Sequence, residues 1–182
     1  MKITDIKFYD GSREKVCKLG LADLYLELQE VLIKTKVNLL EKKDANGAGT
    51  LRKLIDKTFS EFEDWEKIVS GGVDWTKRVR YNRTFIAKLG VEIQVSARSD
   101  LLIRDIVHLR NSIQEGEIEV GVIVVPNNKM AEYLTDRTPA WKDAVRYIEE
   151  EFKEAMTFPI ILIGLEHDDI SDEPLNKQVT KK

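Results

Sequence analysis

The sequence predicts an α/β protein in which helices cover both faces of a central mixed β-sheet. Two nearly continuous apolar runs, 118–125 and 158–165, have the length and β-branched composition of strands buried on both faces. Apolar residues recur at helical spacing in several longer segments. Strand and helix patterns also alternate along the second half of the chain, which is typical of a sheet covered by helices.

Size and composition predict one globular domain. The chain has 182 residues, of which 42% are hydrophobic and 34% are charged. We expect the domain to span about 1–165, with a helical N-terminal part at about 21–70, a core at about 73–165, and a polar tail at 166–182 that frays.

The one cysteine, Cys17, excludes an internal disulfide, and no Cys/His group has zinc-ligand spacing. Without a transmembrane-length apolar run or a secretory leader, we expect a cytoplasmic protein that does not bind membranes.

The first part of the chain is predicted to be mostly helical. Asp10-Gly11 favours a tight turn, so a small hairpin or an irregular segment is expected within residues 1–20. Apolar spacing within 21–43 fits one or two helices better than a strand. Thr50 can cap a further helix at about 51–69.

The rest of the chain is predicted to alternate between strands and helices. Residues 73–84 have the pattern of a strand or hairpin that leads into the next strand. The elements that follow are a strand at 89–96, a helix at 100–113 with Leu102, Ile106, Leu109 and Ile113 inward, a strand at 118–125, a short helix near 130–134, a helix at 140–156 and a strand at 158–165.

The strand at 89–96 carries the first candidate functional residues. A carboxylate and an amide on an otherwise apolar strand cost desolvation unless they are paired, and a hydrated divalent cation is one such partner. Strand alternation places Val91, Ile93 and Val95 on one face, and Glu92, Gln94 and Ser96 on the other. In the alternative interpretation, Glu92 and Gln94 simply face solvent on an edge strand.

A second carboxylate, Asp74, lies 18 residues before Glu92, on the far side of the predicted hairpin. A hairpin could bring Asp74 beside Glu92. Two adjacent carboxylates repel each other unless a cation neutralises them, as in Mg²⁺ sites for phosphodiester cleavage. Otherwise Asp74 is a turn residue after Gly71-Gly72.

Charged residues flank these candidates. The net charge of −3 argues against a protein that binds nucleic acid with its whole surface, although a local basic cleft can still exist. Asp100, Arg104 and His108 recur at helical spacing, which predicts an exposed ion-pair ladder opposite the apolar stripe. An acid-free segment contains five basic residues, which form either a phosphate-binding surface or an ordinary solvated one: Lys77, Arg78, Arg80, Arg83 and Lys88.

The segment Val91-Glu92-Ile93-Gln94-Val95-Ser96, together with the helix and two strands that follow it, resembles the core of BglII-type restriction endonucleases. That family has the PD-(D/E)xK fold, and Gln replaces the final Lys of its motif, so that the signature is Asp…Glu-x-Gln. The resemblance implies a restriction-endonuclease-like fold. It also implies a type II enzyme that uses Mg²⁺ (or Mn²⁺) to hydrolyse double-stranded DNA at a specific site.

The resemblance does not decide which residue takes the place of the Asp that precedes Glu-x-Gln in the family. In close members of the family the Asp lies nearer to the Glu, where this chain has Tyr81-Asn82-Arg83. Either Asp74 fills the role, which we prefer, or Asn82 does, and metal binding and cleavage are then weakened. The resemblance implies that Asp74 and Glu92 hold the metal and that Gln94 orients the attacking water or the metal. A neutral amide cannot act as the general base.

The resemblance also implies a homodimer, because an enzyme that cuts both strands of a symmetric site presents two copies related by a two-fold axis. Two other functions stay open: a DNA repair nuclease of the same fold, and a catalytically silent DNA-binding or assembly protein. The residues expected to contact DNA are Lys77, Arg78, Arg80, Arg83, Ser96 and Arg98.

Overall fold

The computed structural model describes residues 1–68, 72–95, 99–135 and 137–176, with only the backbone of Ser99 and Asp100. No helix within these ranges is long and apolar enough to cross a membrane. The elements in chain order are β1 Lys2–Phe8, α1 Ser12–Lys18, α2 Ala22–Lys34, β2 Asn38–Leu39, α3 Ala48–Phe59, β3 Glu66–Lys67, β4 Trp75–Tyr81, β5 Thr84–Ile93, α4 Ser99–Gln114, β6 Val120–Pro126, α5 Asn128–Tyr133, α6 Trp141–Arg146, β7 Ile160–Glu166 and β8 Asp169–Ile170.

A mixed sheet has the strand order β1-β7-β6-β5-β4-β3. Strands β5, β6 and β7 run parallel to one another, whereas β1, β4 and β3 pair with their neighbours in antiparallel fashion. The apolar runs of β6 and β7 lie at the centre of the sheet and are buried along almost their whole length, as their composition predicts.

Helices cover both faces of this sheet, which confirms the predicted fold class. Helices α2 and α3 pack on one face, together with the side chains of Val91, Ile93 and Val95. Helices α4 and α6 pack on the other face, against Ile123 and Leu162. Alternation along β5 therefore directs its polar residues toward α4.

Close packing brings α4 near the polar face of β5. Leu102, Ile106 and Leu109 of α4 are buried, as predicted. A Cβ added at Gly121 of β6 would lie 3.0 Å from Cδ2 of Leu109, so a side chain here would require the leucine to shift. Glycine at 121 thus lets α4 lie directly on the sheet.

The prediction of a hairpin or an irregular segment within residues 1–20 is wrong, because this part forms the strand β1 and the helix α1. Asp10 and Gly11 do form a turn, with φ values of 44° and 64°. The strand before that turn, however, pairs with β7 at the other end of the chain. The edge of a sheet accepts any strand that tertiary packing brings to it, so local turn chemistry does not select the partner.

The predicted 51–69 helix ends early, at Phe59. The rings of Trp65 and Trp75 each lie 5.0 Å from that of Phe59, and the chain must turn after α3 to make this contact. Thr50 does not cap the helix, because its hydroxyl donates to the carbonyl of Asn176. Residues 69–71 lie outside the described ranges.

Two expectations about the C-terminal region also need correction. The predicted 140–156 helix is α-helical only through Arg146 and continues as a π turn, Tyr147–Glu151, and a 3₁₀ turn, Lys153–Thr157. The tail does not fray between 166 and 176: β8 pairs with β2, and Asp168 binds the N-terminal ammonium at 3.0 Å. Residues 177–182 lie outside the described ranges.

Candidate functional site

Asp74 lies immediately before β4, at the open end of the β4–β5 hairpin, opposite its tip. Trp75 pairs with Val91, so the residue before Trp75 reaches the last residues of β5. The Oδ2 atom of Asp74 accepts a hydrogen bond from the backbone amide of Ile93 at 2.8 Å. The hairpin therefore brings Asp74 beside Glu92, across the 18 residues that separate them in the sequence.

Arg52 of α3 holds Asp74 in this position. Its Nη2 atom lies 2.8 Å from Oδ1 of Asp74, and its Nη1 donates to the carbonyl oxygen of Ile93 at 2.7 Å. Its Nε donates to Asp56 at 3.1 Å. One planar guanidinium thus joins α3, the residue before β4 and the end of β5. Arg52 was not predicted from the sequence, since a lone arginine in a helix carries no local signal.

Glu92 is buried in the face of the sheet that α4 covers, with 2% of its surface exposed. Its Oε1 atom is buried and has no hydrogen-bond partner among the described residues. Burial raises the pKa of Glu92 far above its ordinary range, and the charges of Asp74 and Asp105 and a hydrogen bond with Asp74 raise it further. The carboxylate form consequently needs more positive charge than Arg52 and the other described residues provide.

Gln94 is also buried, and its backbone amide donates to the carbonyl of Val124 at 2.8 Å. Strand β5 lies between β4 and β6, so it is not an edge strand. The interpretation in which Glu92 and Gln94 face solvent is therefore wrong.

Asn82 lies far from this carboxylate pair. It forms the tip of the hairpin with Arg83, where Tyr81 pairs with Thr84 and both tip residues have positive φ. From Thr84 to Glu92, β5 extends over roughly 26 Å at ~3.3 Å per residue. Of the two candidates for the upstream position, the structure brings only Asp74 to Glu92.

Helix α4 adds two side chains to the carboxylate pair. Nδ1 of His108 lies 3.3 Å from Oε1 of Glu92, so His108 faces the sheet, and its predicted place in an exposed ion-pair ladder is wrong. Asp105 is buried beside it, and the sequence analysis missed it. An acid between Leu102 and Leu109 on the apolar stripe of a helix was the available signal.

The basic residues of the hairpin divide into two groups. The ammonium of Lys77 is bound to Glu27 at 2.7 Å and to the carbonyl of Glu63, so it is not directed to solvent. Arg78, Arg80 and Arg83 are exposed. Ser96 and Arg98, the other predicted DNA contacts, lie outside the described ranges.

The donor set is suitable for a divalent cation. Asp74 and Glu92 supply carboxylate oxygens, which are the preferred ligands of Mg²⁺ and Mn²⁺. The buried Oε1 atom of Glu92 has no hydrogen bond from residues 1–68, 72–95, 99–135 or 137–176, and a cation would satisfy it. The site therefore has the composition and the unmet charge of a metal centre.

Comparison with known proteins identifies the family. The family model described as "Restriction endonuclease BglII/BglIII" matches residues 13–165, which is most of the chain and includes all the candidate site residues. A comparison with curated proteins found no match. With the mixed sheet and the Glu-x-Gln strand, this match shows that the chain belongs to the BglII/BglIII family of restriction endonucleases, which are site-specific deoxyribonucleases.

Proposed function

We propose that this restriction endonuclease uses Mg²⁺ or Mn²⁺, held by Asp74 and Glu92, to hydrolyse both strands of double-stranded DNA as a homodimer. The observation that carries the proposal is the meeting of the two carboxylates in a setting where Glu92 is buried and one of its oxygens is unpaired. Without a cation such an arrangement costs desolvation and repulsion.

Each side chain has a distinct part in this proposal. A bound divalent cation supplies a positive charge at the scissile phosphate and lowers the pKa of the attacking water. Arg52 fixes the Asp74 carboxylate, and the central strand fixes Glu92 and Gln94. Gln94 orients the water as a neutral hydrogen-bonding group. Since an amide does not take up the proton, this passes to solvent or to a substrate phosphate.

The exposed arginines of the β4–β5 hairpin are proposed to contact the DNA backbone. Arg78, Arg80 and Arg83 lie along the outer part of the hairpin, whose base holds Asp74. Phosphate contacts at this position would set the register of the duplex at the carboxylates. Lys77 is left out because Glu27 already neutralises it. Ser96 and Arg98 remain sequence-based predictions.

Digestion of several supercoiled plasmids with Mg²⁺ tests this function. We expect discrete bands from the parent protein and no cleavage by E92A, which should still bind DNA. E115A is the matched control, because Glu115 is an exposed acid just beyond α4. Smears or structure-dependent nicks indicate a repair-type nuclease. Binding without cleavage in the parent protein indicates a catalytically silent protein, and cleavage by E92A contradicts the metal site.

The oligomeric state is tested by sedimentation of the free protein and of its complex with an intact duplex that contains the cleavage site. We expect two chains per duplex and concerted cutting of both strands. One chain per duplex, with release of nicked DNA, contradicts the homodimer.

A further inference from the structure

The group on α4 extends beyond the proposed Asp74–Glu92 pair. Asp105 and His108 lie one helical turn apart, so both side chains project from the same face of the helix. One ligand atom from each of Glu92, Asp105 and His108 lies within 4.8 Å of the other two. Asp74, which is bound to Arg52 and to the Ile93 amide, is not part of this set.

This group has a deficit of positive charge. The side chains of Glu92 and Asp105 are both 3% exposed. Among the described residues, Asp105 is paired with Arg104 at 3.4 Å, whose side chain is mostly exposed, and the charge of Arg52 acts on it more weakly. Oε1 of Glu92 lies 3.3 Å from Nδ1 of His108, and within the part of the chain that the structure describes it makes no hydrogen bond. Two buried carboxyl groups beside one imidazole stay ionised at neutral pH only if a cation compensates their charge.

We propose that Glu92, Asp105 and His108 form a second divalent-cation site, which prefers a transition-metal ion such as Mn²⁺ or Co²⁺ over Mg²⁺. The inference rests on the proposed function in one respect, because Glu92 would serve both sites. The imidazole sets the preference: nitrogen ligands suit transition metals, whereas Mg²⁺ favours oxygen ligands and retained water.

The geometry is near that of a bound ion. Two ligands at about 2.1 Å from one ion lie at most about 4.2 Å apart. The three side chains consequently need to move by less than about 1 Å to close on an ion. His108 is partly exposed, with 29% of its side chain accessible, and provides a route of entry from solvent. An ion held here would also tie α4 to β5.

Metal binding to the DNA-free protein tests the site without reference to cleavage. Mn²⁺ stoichiometry is measured by electron paramagnetic resonance. Co²⁺ binding is followed by ¹H NMR, in which a coordinated imidazole gives hyperfine-shifted ring-proton signals. We expect two Mn²⁺ per chain for the parent protein. H108Q and D105N should each bind one, and the hyperfine-shifted imidazole signals should be lost in H108Q.

Three further variants separate the outcomes. The chain has two histidines, so H167Q tests whether His167 is the source of the shifted imidazole signals. E115Q removes an exposed acid outside the group and should bind two ions. D74N should lose one ion and keep the shifted imidazole signals. If D74N still binds two ions, the Asp74–Glu92 site fails and the α4 site stands.

The proposal is overturned if H108Q and D105N bind as many ions as the parent protein. It is also overturned by a parent protein that binds Co²⁺ without hyperfine-shifted imidazole signals. That last measurement needs no variant, so the test holds even if a substitution prevents folding.

Discussion

The Arg52 guanidinium lies 2.8 Å from the carboxylate of Asp74 and 2.7 Å from the backbone carbonyl of Ile93. This contact joins α3, on one face of the sheet, to the carboxylate that meets Glu92 on the other. The position of Asp74 thus depends on a residue that need not touch substrate. Arg52 is a positioning residue.

The first prediction is that R52K lowers the cleavage rate more than it lowers DNA affinity. A lysine ammonium cannot make the three directed contacts of the guanidinium, so Asp74 loses its fixed orientation. A displacement of about 1 Å can cost ~100-fold in rate. Single-turnover cleavage in Mg²⁺ and DNA binding in Ca²⁺ measure the two effects. K53M, an exposed neighbour on α3, is the control, and an equal loss of binding and rate contradicts the positioning role.

The second prediction concerns stability and pH in the metal-free protein. The native pKa of Glu92 is raised above its ordinary value of 4.5, so the native state binds this proton more tightly than the unfolded state. Its contribution to stability is therefore complete below pH 4.5 and is lost as the pH rises toward the native pKa.

In EDTA, we expect the free energy of unfolding of the parent protein to fall relative to E92Q as the pH rises from about 4.5. The change should reach up to about 1.4 kcal/mol per pH unit for a single group. Urea unfolding at several pH values measures it. The exposed-site variant E115Q should follow the parent protein. Parallel curves for the parent protein and E92Q would show that the carboxylate is not destabilised.

The third prediction concerns the outer part of the hairpin. Tyr81 is 68% exposed and Phe85 is 46% exposed, so this part extends beyond the core and can reach a duplex. R80A and R83A should weaken DNA binding without changing the melting temperature. Each lost phosphate contact should reduce the slope of log K against log [salt] by about 0.9. K43A, an exposed lysine outside the hairpin, should leave the slope unchanged; an equal effect there would indicate nonspecific charge alone.

The fourth prediction compares two glycine-to-alanine variants with opposite expected signs. In G121A the new Cβ meets Leu109 at 3.0 Å and displaces α4, so the free energy of unfolding should fall by about 1–3 kcal/mol. Metal affinity should fall with it, since Asp105 and His108 move with α4. In G49A the Cβ meets nothing within 4 Å on a helix, and stability should rise by about 0.5–1 kcal/mol. Chemical denaturation measures both.

The fold class was predictable from the sequence where the pattern was local. The β-branched runs of β6 and β7 were correctly predicted as buried central strands, because burial on both faces requires continuous apolar composition. For residues 73–84 a strand or a hairpin was predicted; the structure has a hairpin, whose second strand begins at Thr84 rather than at 89. Helix α3 was predicted too long, because Phe62 and Trp65 continue the helical spacing although Trp65 packs back on Phe59. A helical spacing of apolar residues does not distinguish a ring buried by a longer helix from a ring buried because the chain turns back on the helix.

The sequence by itself determined the alternation that separates Glu92 and Gln94 from the apolar face of β5, since neighbouring residues of a strand point to opposite sides. Only the tertiary structure decided which groups meet them. Asp74 arrives through hairpin register, Arg52 through packing of α3, and Asp105 and His108 through the close approach of α4 over Gly121. The contacts join residues distant along the chain, and they depend on how the elements pack rather than on any local periodicity.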